Sequence, residues 1–267
     1  MIGDDPLDLG GQIAFVSGAG QGAGRAIALT LARHNAGGVA VNDYYPERAA
    51  AVVAEIEALG VRALAVPADV GDHAAVTAAM AQASQTLGAV TILVNNAGNA
   101  GPTSAMGNGP LFWEAPPDDW DRFFRTNTWG VMNCCHAALP EMVKQRRGRI
   151  VTIISDAGRV GGARIAAYSA AKAGAGGFVR ALARETGRFG ITSNAISLST
   201  LEPLMSEEDK ARFMASEQAK AITSGYVIRR LGKPQDVAGM TLFLCSDAAS
   251  WITGQTYPVN GGYSFAL

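Results

Sequence analysis

Seven short runs rich in β-branched and apolar residues recur along this chain, each separated from the next by a stretch with helical spacing. The runs are "QIAFVS" (12 to 17), "GVAVND" (38 to 43), "VRALAVP" (61 to 67), "VTILVNN" (90 to 96), "GRIVTIIS" (148 to 155), "ITSNAIS" (191 to 197) and "QTYPVN" (255 to 260). Between them lie alanine-rich segments such as "RAIALTLARH", "ERAAAVVAEIEALG" and "HAAVTAAMAQASQTLG". Strands alternating with helices require crossover connections, and these are right-handed and give a mostly parallel sheet with helices on both faces. The nearly continuous apolar character of the runs agrees, because strands in such a sheet are buried on both sides. At 267 residues and 48% hydrophobic content, the chain suits one α/β domain with a full core.

Composition narrows the function classes. A formal net charge of −1 and the lack of a basic run argue against a nucleic-acid surface, which rests on many Lys and Arg contacts to phosphate. Cys134, Cys135 and Cys245 show no metal-ligand spacing and read as reduced, packed thiols of a cytoplasmic protein. His34, His73 and His136 fall in separate segments, again without metal spacing. The start, "MIGDDPLDLGGQ", carries acids where a signal peptide needs positive charge, and no apolar run reaches membrane-spanning length. Two connections are long: residues 97 to 117, rich in Gly and Pro, and residues 198 to 226, which hold a polar helical piece. Long connections at one end of a sheet often carry function.

The turn between the first strand and the first helix reads "SGAGQGAGR" (17 to 25). Glycines at 18, 22 and 24 permit a tight turn, close approach of backbone to a pyrophosphate, and tight helix-strand packing, while the helix N-terminus offers free N–H groups to phosphate. The loop lacks the Lys-Ser or Lys-Thr pair of a nucleoside-triphosphate loop. Asp43 ends the second strand, 19 positions beyond Gly24. A carboxylate there accepts both ribose hydroxyls of an adenosine and repels a 2′-phosphate, so the residues point to NAD over NADP. A solvated turn aspartate before Pro46 is the competing reading.

A second cluster is "AAYSAAKAG" (166 to 174), in which Tyr168 and Lys172 stand one helical turn apart on one face. A free phenol has a pKa of about 10, and a neighbouring cation lowers it and makes the phenol a usable proton donor and acceptor. Taken alone, the pair is equally a packed ring and a solvated amine. It is accompanied, however, by Ser155 at the end of the fifth strand, by "LVNNAG" (93 to 98) at the end of the fourth, and by Asn127 in "RTNTWG". A hydroxyl at a strand's carboxyl end faces the crevice where such sheets bind ligands.

The order and spacing of "SGAGQGAG", "NNAG", Asn127, Ser155 and "YSAAK" resemble the short-chain dehydrogenase/reductase family, over nearly the whole chain. The resemblance implies a single-domain Rossmann fold, a doubly wound and mostly parallel seven-stranded sheet, over residues 1–267. It implies Tyr168 as general acid for ketone reduction and general base for alcohol oxidation, with Ser155 bonding the substrate oxygen. Lys172 would hold the nicotinamide ribose and lower the Tyr168 pKa, and Asn127 would anchor a relay water. Gly18, Gln21, Gly22, Ala23 and Gly24 would cradle NAD, Asp43 its ribose, Asp69 and Val70 its adenine, and Asn96 and Ala97 its length. Without the family, Asp69 would read as a helix N-cap and Asn127 as a residue satisfying backbone groups. The family also implies a homodimer or homotetramer, built on the helices from Trp120 to about Lys144 and from Ala166 to about Phe189.

The chain departs from the pattern after the sixth strand. "SLSTLEPLM" puts Leu198 and Ser199 where the family has Pro-Gly, and Pro203 at its Thr position, so the nicotinamide carboxamide is expected to rest on backbone near Leu201. Residues 99 to 117, with Phe112 and Trp113, and the segment 199–226, with Met205 and Met214, are expected to shape the substrate pocket or to cover the core. The favoured reading is an NAD-dependent oxidoreductase of secondary alcohols and ketones. An NADPH-dependent 3-oxoacyl-thioester reductase and a non-catalytic cofactor-sensing protein are the alternatives. Enoyl reduction fits less well, since that branch spaces its Tyr and Lys farther apart.

Overall fold

A computed structural model of the chain describes residues 5–101 and 109–265. All seven expected strands are present: β1 (Ile13–Val16), β2 (Gly38–Val41), β3 (Ala63–Ala65), β4 (Val90–Asn95), β5 (Gly148–Ser155), β6 (Ile191–Leu198) and β7 (Thr256–Val259). They form one sheet in the order β3-β2-β1-β4-β5-β6-β7, and every pairing is parallel. The strand order reverses direction between β1 and β4. At such a switch point the connections leave to opposite sides and open a crevice at the strands' carboxyl ends.

The helices between the strands are α1 (Gly22–Arg33), α2 (Pro46–Glu57), α3 (His73–Leu87), α4 (Asp121–Phe124) and α5 (Gly130–Gln145). They continue with α6 (Ala157–Val160), α7 (Ala166–Thr186), α8 (Glu207–Met214), α9 (Glu217–Ser224) and α10 (Pro234–Cys245). Alternation along each strand divides the core in two. Ala14, Val16, Val39, Val41, Ile92 and Val94 pack against Ile27 and Leu31 of α1, Val52 and Ile56 of α2, and Leu242 of α10. Ile13, Phe15, Leu93 and Ile150 face the other way, against Met80 of α3, Val131 and Met142 of α5, and Val179 of α7. Burying a side chain such as Phe15 or Ile92 fully, as here, stabilises the fold by about 1.5–3 kcal/mol each. Cys134 and Cys135 fill one layer and Cys245 the other; all three are free and buried, in keeping with the packing role read from sequence. Among the described residues no helix is long and apolar enough to cross a membrane.

Helix starts follow local chemistry. Asp72, not Asp69, caps α3, accepting from the N–H groups of Ala74 and Ala75. Between α4 and α5, residues Arg125–Trp129 form a π-helical turn, a rare conformation that often marks functional positions; it carries Asn127.

Candidate active site

The glycine loop is shaped by close contacts that exclude side chains. Gly18 has φ +60° and Gly22 φ +55°, left-handed values that favour glycine. A Cβ on Gly24 would lie 2.2 Å from the Gly18 carbonyl oxygen, and one on Gly18 would lie 2.8 Å from Ala97 Cα. The loop is pinned to the end of β4 by Asn96, whose Nδ2 donates to the carbonyls of Ser17 and Gly18. Ser17 Oγ accepts from the N–H groups of Asn96 and Ala97. A crevice of about 910 Å³ results, lined by Gly18, Gln21, Gly22, Ala23, Gly24, Asp43, Asp69, Val70, Asn96 and Ala97 together. Ten sequence-predicted positions therefore converge.

Asp43 is buried at the crevice edge. Its Oδ2 accepts from Gly20 N at 2.9 Å and its Oδ1 from Tyr45 N at 3.1 Å. Each oxygen keeps further acceptor capacity for a hydroxyl. Asp69 receives Gly71 N–H on one oxygen and the Arg125 guanidinium on the other, so it braces the crevice wall. Arg48, absent from the sequence-based set, lines the same wall beside Asp43 and stacks over the Tyr45 ring at 4.3 Å. Leu204, also unforeseen, reaches over Gly22, its Cδ1 3.6 Å from where a Cβ there would be.

At the other end stand Ser155, Tyr168 and Lys172. The Ser155 hydroxyl lies beside the Tyr168 phenol, and Ser155 Oγ accepts from Ala157 N at 3.2 Å. The two hydroxyls thus form one donor pair at the carboxyl end of β5 and the first turn of α7. Lys172 is buried and its Nζ donates to the Ile153 carbonyl at 2.9 Å. A Cβ on Gly98 would meet Asn127 Oδ1 at 3.2 Å and Lys172 Nζ at 3.3 Å, so the amide and the ammonium converge there. Asn127 is fully buried; it accepts from Asn99 N and donates to the Asn99 and Phe123 carbonyls. This is the backbone-satisfying role, holding the segment after β4 against the π-helical turn.

The electrostatics correct one expectation. Burial pushes the Tyr168 phenol above its ordinary value, with the Ser155 hydrogen bond pulling the other way, whereas the Tyr-Lys spacing predicted a lowered value. The phenol's own burial dominates; Lys172 is buried as well, its pKa brought down to about 8, and its Nζ donates to the Ile153 carbonyl.

The substrate side is less fully anticipated. Phe112 lines a small cavity beside Tyr168, together with Trp120, Phe123, Arg164 and Ile165, and its ring stacks on Trp120 at 5.3 Å. Trp113 does not line it and is 78% exposed. Residues 102–108 of the expected pocket loop lie outside the described residues. Leu201 pairs with Gly232 in an isolated bridge and lines a separate cavity of about 410 Å³. Tyr226 lines the same cavity; its hydroxyl meets Ser199 Oγ at 2.6 Å and accepts from Thr200 N at 3.1 Å, which anchors the chain after β6.

Comparison with known proteins bears on this arrangement. A family model described as Enoyl-(Acyl carrier protein) reductase matches residues 18–264. The 3-oxoacyl-[acyl-carrier-protein] reductase FabG of Staphylococcus aureus is 38% identical over 250 residues, covering 93% of this chain and 96% of that protein. The chain belongs to the short-chain dehydrogenase/reductase family. A crystal structure of a putative short-chain alcohol dehydrogenase from Sinorhizobium meliloti superposes with a TM-score of 0.87 at 35% identity, over 97% of this chain and 98% of that one. A 7α-hydroxysteroid dehydrogenase solved with NADH and 7-oxo glycochenodeoxycholic acid gives 0.86 at 36% identity, over 98% of each chain. Short-chain dehydrogenase/reductases are nucleotide-binding oxidoreductases, and this chain has their seven-stranded Rossmann sheet.

Proposed function

We propose that this short-chain dehydrogenase/reductase is an NAD-dependent enzyme interconverting a secondary alcohol and its ketone. The carrying observation is that Tyr168, with the Ser155 hydroxyl beside its phenol, lines a small cavity that shares Gly101 and Arg122 with the crevice edged by Asp43. The crevice fits a dinucleotide: Gly18 and Gly24 leave room for backbone only, and Asp43 has acceptor capacity for ribose hydroxyls. Gly18, Gln21, Gly22, Ala23 and Gly24 would hold the pyrophosphate, Asp69 and Val70 the adenine end, and Asn96, Ala97, Tyr168 and Lys172 the nicotinamide end. Bound there, NAD(H) supplies or accepts a hydride.

The chain's own residues handle the oxygen. Ser155 and Tyr168 donate two hydrogen bonds to the substrate oxygen as charge develops on it, which works as an oxyanion hole. A phenol held above its ordinary pKa stays protonated at neutral pH, so Tyr168 stands ready as the acid for ketone reduction. In the oxidation direction it must lose that proton, and Lys172 turning from Ile153 toward the ligand would make the loss easier. Asn127, whose Oδ1 approaches Gly98 as Lys172 Nζ does, would anchor a water that relays the proton. We place residues 1–267 in one catalytic domain acting in the cytoplasm as a homodimer or homotetramer.

NADPH is the competing cofactor. Arg48 beside Asp43 favours it and the Asp43 carboxylate opposes it, and at 6% exposure that carboxylate is not easily screened. The spacing of Tyr168 and Lys172 supports carbonyl over enoyl reduction. A panel of ketones and secondary alcohols, read by NADH absorbance with both cofactors, tests the proposal. The expected result is turnover with NAD(H) at least tenfold above NADP(H), a margin of about 1.4 kcal/mol. Preference for NADP(H) would transfer the reading to the 3-oxoacyl-thioester alternative, and nucleotide binding without turnover would revive the cofactor-sensing one.

A further inference from the structure

Directly after Ser155 the chain places a carboxylate where the sheet is driest. Asp156 is 2% exposed, with Ser197 and Asn260 buried around it. Its Oδ1 accepts from Ser197 Oγ at 2.7 Å and from Arg159 Nη1 at 3.0 Å, and its Oδ2 accepts from Asn260 Nδ2 at 2.7 Å. Its backbone N–H donates to the Leu198 carbonyl at 2.8 Å. One side chain thus ties together the carboxyl ends of β5, β6 and β7. The tie extends outward, because Arg159 donates to Ser264 Oγ and the Phe265 carbonyl, and Asn260 Nδ2 donates to the Ser264 carbonyl.

We infer that Asp156 is a positioning residue for the Ser155 hydroxyl, and that residues 260–265 are a brace of the active site held on by it. The inference rests on the oxidoreductase reading of Ser155. Asp156 is held in helical backbone geometry, φ −57° and ψ −29°, by bonds on three sides. That geometry aims Ala157 N–H at Ser155 Oγ. With a lone pair of the serine oxygen occupied by this donor, its own proton is directed outward to Tyr168 or to a substrate oxygen. On its far side the same short helix abuts the catalytic lysine: a Cβ on Gly158 would lie 2.8 Å from Ala173 N and 2.9 Å from Lys172 Cβ. The carboxylate therefore fixes the turn that carries the serine and packs against the helix that carries Lys172. A charged acceptor with three donors in a dry site is worth more than neutral bonds at the surface.

The experiment is a double-mutant cycle with a separate structural readout. Asp156→Asn keeps the volume but removes the charge and turns one acceptor into a donor facing Asn260. Its kcat on the ketone found by the panel is expected to fall about tenfold, with KM and NADH affinity within about twofold. Combined with Ser155→Ala, the same change is expected to cause no further loss, because the group it positions is already gone. In the protein without nucleotide, amide exchange at Ala157 and Gly262 is expected to accelerate at least about tenfold. An equal kcat loss in both backgrounds, an unchanged kcat, or unchanged exchange would overturn the inference. If Asp156→Asn does not fold, Asn260→Ala, which leaves the charge in place, carries the same cycle with the same outcomes. Should the wild-type protein reduce no ketone at all, the oxidoreductase reading fails, while the exchange arm still decides whether Asp156 holds this turn.

Discussion

The two ends of the crevice are built from different materials. At the nucleotide end, backbone does the work: Gly18 and Gly24 approach neighbours within distances no side chain tolerates, and Asn96 and Ser17 lock the loop to β4. At the substrate end, side chains do it: Phe112 and Trp120 stack over a small cavity, and Ser155 and Tyr168 meet through hydroxyls. Backbone geometry tolerates almost no change, whereas a pocket of rings on a long connection can change its ligand without disturbing the fold. One scaffold can thus keep a fixed cofactor chemistry while its substrate side diverges.

This contrast can be broken by substitution. The largest effect is expected from Tyr168→Phe, which removes the proton donor but little volume: turnover should fall by about 10²–10⁴-fold with NADH affinity unchanged in a fluorescence titration. Near-normal turnover would take Tyr168 out of the chemistry. Gly24→Ala strikes the other end, forcing apart the loop and β1; nucleotide affinity is expected to weaken by roughly 10–100-fold, and unchanged affinity would mean that the loop does not need its close contact.

Lys172 gives a pH test at the seam between the two ends. Its folded pKa of about 8 lies below that of an unfolded lysine, so between pH 8 and about 10 the unfolded chain binds more protons at this site. The Lys172 contribution to stability should therefore rise through that window in the nucleotide-free protein, by an amount on the order of 1–3 kcal/mol in urea melts, against an opposite slope from the buried thiols of Cys134, Cys135 and Cys245, whose pKa values burial raises. The difference in slope between wild type and Lys172→Met isolates the lysine, and equal slopes in the two proteins would contradict the assignment. Smallest of all, Phe112→Ala is expected to change KM for individual ketones by about threefold, a fraction of the energy of one buried ring, with nucleotide affinity untouched. A change in nucleotide affinity would show that the two ends are not separable.

Most of the fold was legible because parallel strands buried on both faces announce themselves as apolar runs: six lie within the stretches read as strands, and β6 runs one residue past its stretch, to Leu198. The nucleotide crevice was legible for a related reason: glycine positions and a carboxylate after β2 are set by local backbone demands. What escaped the sequence depends on contacts between distant segments. Arg48 and Leu204 reach the crevice from positions no spacing rule marks. The tether from Tyr226 to the chain after β6 links residues 26 and 27 apart. Asp156 draws no notice in the sequence, because the partners that close around it, Ser197 and Asn260, come from two other strands' ends. The spacing of Tyr168 and Lys172 predicts a lowered phenol pKa, whereas burial of the ring raises it, because spacing shows that two side chains share a face and not how deeply the fold buries them.

The central claim, that a nucleotide held at one end transfers a hydride to a carbonyl held at the other, has a direct test. A ketone from the panel is reduced with NADH deuterated at its transferable carbon, and the alcohol is weighed by mass spectrometry. The account predicts an alcohol carrying the deuterium on its carbinol carbon, with none acquired there from deuterated water when unlabelled NADH is used. An alcohol whose carbinol hydrogen comes from solvent would contradict it.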